Sequence, residues 1–144
     1  MSTPVSNSPP ARESTASRPA ATSSHIAASG RMLTPPRLPG GLLPRIATCF
    51  GGGVGRCKEE LCGALSGGIM AVGCLLGRTA PGGSWDQAAA VAADLRSRFA
   101  AQNGATSCGR ILELLGPQEG MDKRRLLTGR VAGLLCESLA AAEA

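Results

Sequence analysis

Between Leu61 and Gly77 the chain runs through "LCGALSGGIMAVGCLLG", seventeen residues without a charge. Such a run has to be buried. It falls short of the roughly 20 residues that span a bilayer, and four glycines interrupt it before its end. The reading is a buried helix of a soluble protein, with no membrane span. Small residues recur in it at helical spacing: Gly63 and Gly67 are four apart, as are Ala64 and Gly68, followed by Ala71. Small side chains on one face let a second backbone approach closely, so these glycines serve a tight helix–helix contact and not flexibility.

The predicted helix runs from about Lys58 to Leu76, with Glu59 and Glu60 where the positive helix end favours acids and Gly77 as its stop. Ser84 with Gln87 forms a capping box for a second helix, Trp85 to about Gln102. Its apolar positions Ala88, Ala92, Leu95 and Phe99 recur at helical intervals, while Asp94, Arg96 and Arg98 face away. A short helix covers Cys108 to Leu115 and stops at Gly116-Pro117. A last one runs from about Asp122 to Ala141 with Leu127, Val131, Leu134 and Leu135 inward. No alternating strand pattern of useful length is present. The fold class is therefore all-α, a small bundle of about four helices.

Residues 1–40 read as a separate, disordered tail, and residues 41–144 as a cysteine- and glycine-rich helical domain. Residues 1–44 hold eight of the ten prolines and eight serines, a composition that buries too little apolar area to offset ordering entropy. The tail, Ser- and Arg-rich and acid-poor, mildly resembles an organelle transit peptide; the expectation preferred is an over-extended start with Met32 as the candidate first residue, and a chain beginning there is expected to fold as well as the whole. No apolar core of a secretory signal occurs in the tail, which places the protein in the cytoplasm.

The net charge of +5 does not mark a nucleic-acid binder. Residues 1–56 carry six Arg and one Glu, whereas residues 57–144 carry nine basic and nine acidic side chains, so the folded part is neutral. Two Phe and one Trp supply no stacking platform for bases. The "KRR" run at Lys123–Arg125 reads as a solvated helix start.

The cysteines carry more information. Six in 144 residues, in a reducing compartment, point to metal or redox work. The only histidine, His25, lies in the tail, which removes mixed Cys/His zinc sites as well as serine-triad chemistry, and no C-x-x-C pair exists. "GGGVGR" at Gly51–Arg56 lacks the spacing of a nucleotide loop and reads as a turn with positive φ. Cys62 falls in the first turns of its helix, and Cys108 follows Thr106-Ser107, a plausible N-cap. A helix N-terminus favours thiolate, the form that is both nucleophile and metal ligand. Cys74 reads as inert core, and Cys49 and Cys57 as ligands or exposed spectators.

Together, "FGGGVGR" from Phe50, "CGALSGG" from Cys62, Gly73 and Gly77, the helix ending in Phe99 and "NGATSCGRILELLG" around Cys108 resemble the family of redox-active proteins named for its C-GCAxxG-C-C pattern, over roughly residues 45–140. Cys62, Gly63, Ala64 and Gly67 match the central motif, and Cys108 matches the third cysteine. The family's first cysteine would stand on a helix before "FGGG", and its last around Lys123–Arg125, where this chain instead has Cys136 about three turns later. The resemblance implies a thiol–disulfide or electron-transfer role. Cys62 and Cys108 are the expected reactive pair, Gly63 and Gly67 line the site, and Cys57, Cys62, Cys108 and Cys136 are candidate ligands for zinc or an iron–sulfur cluster. A redox partner protein and self-association are the expected contacts. The competing reading is a non-catalytic helical module that dimerises through Gly63, Gly67 and Ala71, with the cysteines as small apolar residues.

Overall fold

The structure, a computed structural model, describes residues 41–144. Five helices follow in order: α1 Leu42–Thr48, α2 Gly63–Leu76, α3 Asp86–Asn103, α4 Cys108–Leu115 and α5 Asp122–Glu143. The expected boundary at residue 40, and the tail behind it, lie outside the described residues.

Four of these helices match the expected ones, and α4 does so to the residue. The fifth, α1, stands at the start of the expected domain, where no helix is expected because residues up to Pro44 count towards the proline-rich composition. Pro44 sits in its first turn, where a residue without an N–H breaks no helical bond, and the Thr48 hydroxyl donates back to the Pro44 carbonyl at 2.6 Å.

Helix α2 begins five residues later than expected. Lys58 holds φ +67°, a left-handed conformation that no α-helix continues through, and Leu61 pairs with Ser107 in an isolated antiparallel bridge. Cys62 is consequently the N-cap of α2 and does not lie inside its first turn. The expected capping box also shifts: the Ser84 hydroxyl accepts from the Asp86 N–H at 3.2 Å and donates to the Asp86 carboxylate at 2.8 Å.

The core lies where α2, α3 and α5 meet. Leu65 and Val72 from α2, Val91, Leu95 and Phe99 from α3, and Leu127, Val131 and Leu134 from α5 are buried, with Ile111 of α4 joining them. Each such side chain contributes about 1.5–3 kcal/mol by leaving water. The close approach expected of the small residues is present, but Gly68 makes it. A β-carbon there would stand 2.8 Å from Val131 Cγ1 and 3.0 Å from Leu95 Cδ2, whereas one at Gly67 would meet nothing within 4 Å. Among the described residues, no helix is long and apolar enough to cross a membrane.

On the outer side of this core Arg98 bonds Asp94 at 2.7 Å and reaches Glu137 at 3.3 Å, linking α3 to α5. The Arg98 hydrogen bond holds the Asp94 carboxyl below its ordinary value of 3.8. The ionised form is thus favoured by the fold, and its contribution is complete above about pH 4 and lost as acid protonates the folded carboxyl. Asp94→Asn is expected to lower stability at pH 7 by a small amount, because the pair is exposed, and to flatten the acid limb of a stability-versus-pH curve by that same amount, so that the two proteins converge in acid. Thermal melts between pH 2 and 7 check this, and parallel acid limbs for both proteins would refute it.

Candidate functional site

Residues 49–62 form a loop wound tightly in left-handed conformations. Gly52, Gly53 and Gly55 have φ between +61° and +73°, as glycine readily does, but Val54, Arg56 and Lys58 also hold +50°, +68° and +67°. A β-branched residue at positive φ is a genuine outlier, and such strain persists only where surrounding structure imposes it. Here the loop's own main chain imposes it: Gly55 N–H donates to Cys49 C=O at 2.8 Å and Lys58 N–H to Gly52 C=O at 2.9 Å.

The end of the loop is stitched to the start of α4. Cys62 N–H donates to Thr106 C=O and Cys108 N–H to Glu60 C=O, both at 2.8 Å, flanking the Leu61–Ser107 bridge, and Gly109 N–H donates to Lys58 C=O at 2.6 Å. Side chains alternate across a strand. Cys62 and Cys108, each one step past the bridge, therefore project from the same face as diagonal neighbours. Such neighbours stand with α-carbons roughly 7–8 Å apart and β-carbons closer, at the outer edge of the ~7 Å over which a disulfide closes.

Both cysteines are free, and each is only 6% exposed. They share a pocket of about 140 Å³ walled by Gly52, Gly63, Ile111, Arg124 and Leu127. Gly53 packs directly on Cys108: a β-carbon on it would fall 2.7 Å from the Cys108 β-carbon. Gly63 is covered by the Phe50–Gly52 backbone, so a β-carbon there would stand 3.1 Å from the Phe50 carbonyl oxygen. The stripe Gly63–Gly67–Ala71 is thereby interrupted at its first member. Gly67 is exposed and does not line the pocket.

The thiolate preference expected for Cys108 at a helix N-terminus is not what its surroundings produce. Burial pushes this thiol above its ordinary value, the neighbouring Cys62 pushes it further, and Arg124 opposes them; Cys57 raises it and Lys58 lowers it more weakly. Desolvation outweighs the positive neighbours. These influences also bring Cys57 into the neighbourhood: the residue is exposed, but its thiol turns inward along the loop and donates to the Gly53 carbonyl.

The four-cysteine ligand set does not assemble. Cys136 is exposed on α5, twelve residues beyond Arg124 and so about 18 Å further along the helix. Among the described residues, no group of three His, Cys, Asp or Glu side chains is arranged to hold a metal ion. A closed zinc site needs four ligands, and here the guanidinium of Arg124 occupies the pocket wall. The residues present do not fit zinc or a cluster. Cys49 caps the C-terminus of α1, exposed, and Cys74 is half-buried on α2.

Arg124 is the site residue that sequence reasoning missed. The "KRR" run is an exposed helix start, as its sequence implies, and it also makes contacts: Lys123 Nζ donates to the Leu115 and Pro117 carbonyls at 2.8 Å each, Arg125 lies 3.6 Å from Asp122, and Arg124 lines the thiol pocket. The available signal was positional, since Lys123–Arg125 is where the resemblance expects the last cysteine.

Fold and site define a class: an all-α protein whose two motif cysteines meet on one short ribbon beneath a glycine-rich loop. The chain belongs to the family described as "Putative redox-active protein (C_GCAxxG_C_C)", whose sequence profile matches residues 26–143. That match begins inside the segment read as tail, which the described residues do not cover. Membership supports a redox role in general terms. No curated protein and no solved structure matches the chain.

Proposed function

We propose that the protein is a thiol–disulfide redox protein in which Cys62 and Cys108 cycle between a dithiol and a disulfide. One observation carries the reading: the paired main-chain bonds Cys62 to Thr106 and Cys108 to Glu60 hold the two buried sulfurs to one face, against one pocket. A thiol pushed above its ordinary value resists adventitious oxidation. Cys57, exposed on the loop, is the candidate resolving thiol for this pair.

The test is disulfide mapping of the full chain equilibrated in reduced and oxidised dithiothreitol at graded ratios, quenched in acid and alkylated. Two thiols are expected to disappear together, in a Cys62–Cys108 linked peptide, while Cys74 and Cys136 stay alkylated at every ratio. Persistent alkylation of both Cys62 and Cys108 would overturn the proposal. Stoichiometric zinc or iron in anaerobically purified protein would replace the dithiol with a metal centre.

A further inference from the structure

Beside the thiol pocket lies a second, larger hollow of about 500 Å³, bordered by Thr48, Gly55, Arg56, Lys58, Leu112 and Arg124. The two hollows share Gly52, Leu112 and Arg124 as common wall. Three cations face the larger one, and no carboxylate lines either. Glu59 and Glu60 follow in the loop but are not in the lining. Among the described residues, Arg56, Lys58 and Arg124 form no ion pair, as is true of most of the described cations; what sets these three apart is that they border one hollow. The one side-chain partner of Arg124 is the Met121 thioether at 3.8 Å, which leaves its charge uncompensated. A hollow of this size suits a small molecule. Guanidinium groups receive carboxylates through paired hydrogen bonds.

We propose that this hollow binds small disulfides bearing carboxylate groups, with Arg56, Lys58 and Arg124 holding the carboxylates while the disulfide sulfur reaches Cys62 and Cys108 next door. The inference rests on the dithiol reading above and names its substrate class. In the first step a thiolate of the pair attacks the substrate disulfide, forming a mixed disulfide and expelling one substrate thiolate. In the second step the other protein cysteine attacks the protein sulfur of that mixed disulfide, closing the Cys62–Cys108 bond and expelling the second. The two protons lost by the protein thiols end on the two product thiols. The protein is oxidised by two electrons and the substrate disulfide reduced by two.

The experiment uses the reduced full chain with three probes at equal concentration: glutathione disulfide (anionic), hydroxyethyl disulfide (neutral) and cystamine (cationic). Formation of the Cys62–Cys108 disulfide is expected to be roughly 10-fold or more faster with the anionic probe than with cystamine at low salt, and the gap should close at high salt. Arg124→Gln and Lys58→Gln should bring the anionic-to-neutral rate ratio towards one. Equal rates, a preference for cystamine, or exchange with a protein disulfide alone would overturn the inference while leaving the dithiol intact. Binding of S-methylglutathione, which is anionic but cannot exchange, tests the hollow separately by calorimetry. Binding weakened by Arg124→Gln, with no Cys62–Cys108 bond formed, would uphold the anion site and sink the dithiol. No binding to the wild-type protein would sink the anion site whatever the thiols do.

Discussion

Replacing Gly53 by alanine is expected to cost the protein about 2–5 kcal/mol and to spoil the thiol pair. Two physical contributions combine. Gly53 holds φ +73°, and an L-residue pays about 1–2 kcal/mol in that conformation. The added methyl would also stand 2.7 Å from Cys108 Cβ, 3.1 Å from the Glu60 carbonyl oxygen and 3.1 Å from Lys58 Cα. These are main-chain and near-main-chain atoms, and overpacking against them costs roughly another 1–3 kcal/mol. None can swing aside, because Cys108 N–H is bonded to Glu60 and Gly109 N–H to Lys58. Relief must therefore come from parting the loop from α4, which carries Cys108 away from Cys62. Gly55→Ala is the control: its φ is +61° but its β-carbon would meet nothing within 4 Å, so it should cost only the conformational part, about 1–2 kcal/mol. Denaturant unfolding and the yield of the Cys62–Cys108 disulfide at a fixed dithiothreitol ratio report both effects. Indistinguishable behaviour of the two variants would show that the contact with Cys108 does not matter.

That contrast also shows what could be read from the chain beforehand. Helix α4 was legible to the residue because its signals are local: a Thr-Ser entry and a Gly116-Pro117 exit, with Gly116 at φ +69°. The inward faces of α3 and α5 largely followed from their periods, but Ala92 and Leu135 are only half-buried, and Val91, not expected inward, is buried. The start of α2 was not legible, since Glu59-Glu60 imitates the acidic first turn of a helix while the ribbon to Ser107 depends on a segment some 46 residues away. The same distance hid the site. Resemblance to a family singled out Cys62 and Cys108, but only the tertiary bonds say that they share a face, that burial prevails over the helix N-terminus at Cys108, and that Arg124 stands beside them while Cys136 does not. Helix α1 was lost to composition: Pro44 counted towards the tail although a first helical turn accommodates it.

Adjacent glycines on α2 should respond to leucine with opposite sign, and Gly68→Leu is the second large effect expected. Gly68 is buried, and even a β-carbon there would press on Val131 Cγ1 at 2.8 Å and Leu95 Cδ2 at 3.0 Å. Val131 is β-branched and stiff about χ1; Leu95 is fully buried and has no rotamer that leads to water. Leucine would drive α2 away from both α3 and α5, the contacts on which the core depends. The roughly 1 kcal/mol gained in helix propensity over glycine does not offset that separation. A net loss of about 2 kcal/mol or more follows from overpacking, a fall in melting temperature of roughly 10 °C for a domain of this size. Gly67→Leu meets open space and keeps the propensity gain, so it should raise stability by up to about 1 kcal/mol. Its mass in solution discriminates as well. If Gly67 formed a dimer face, leucine would break the assembly while the thiols behaved as before; an unchanged mass alongside a raised melting temperature would assign the glycines of α2 to its internal packing, with Gly68 as the position at which three helices meet.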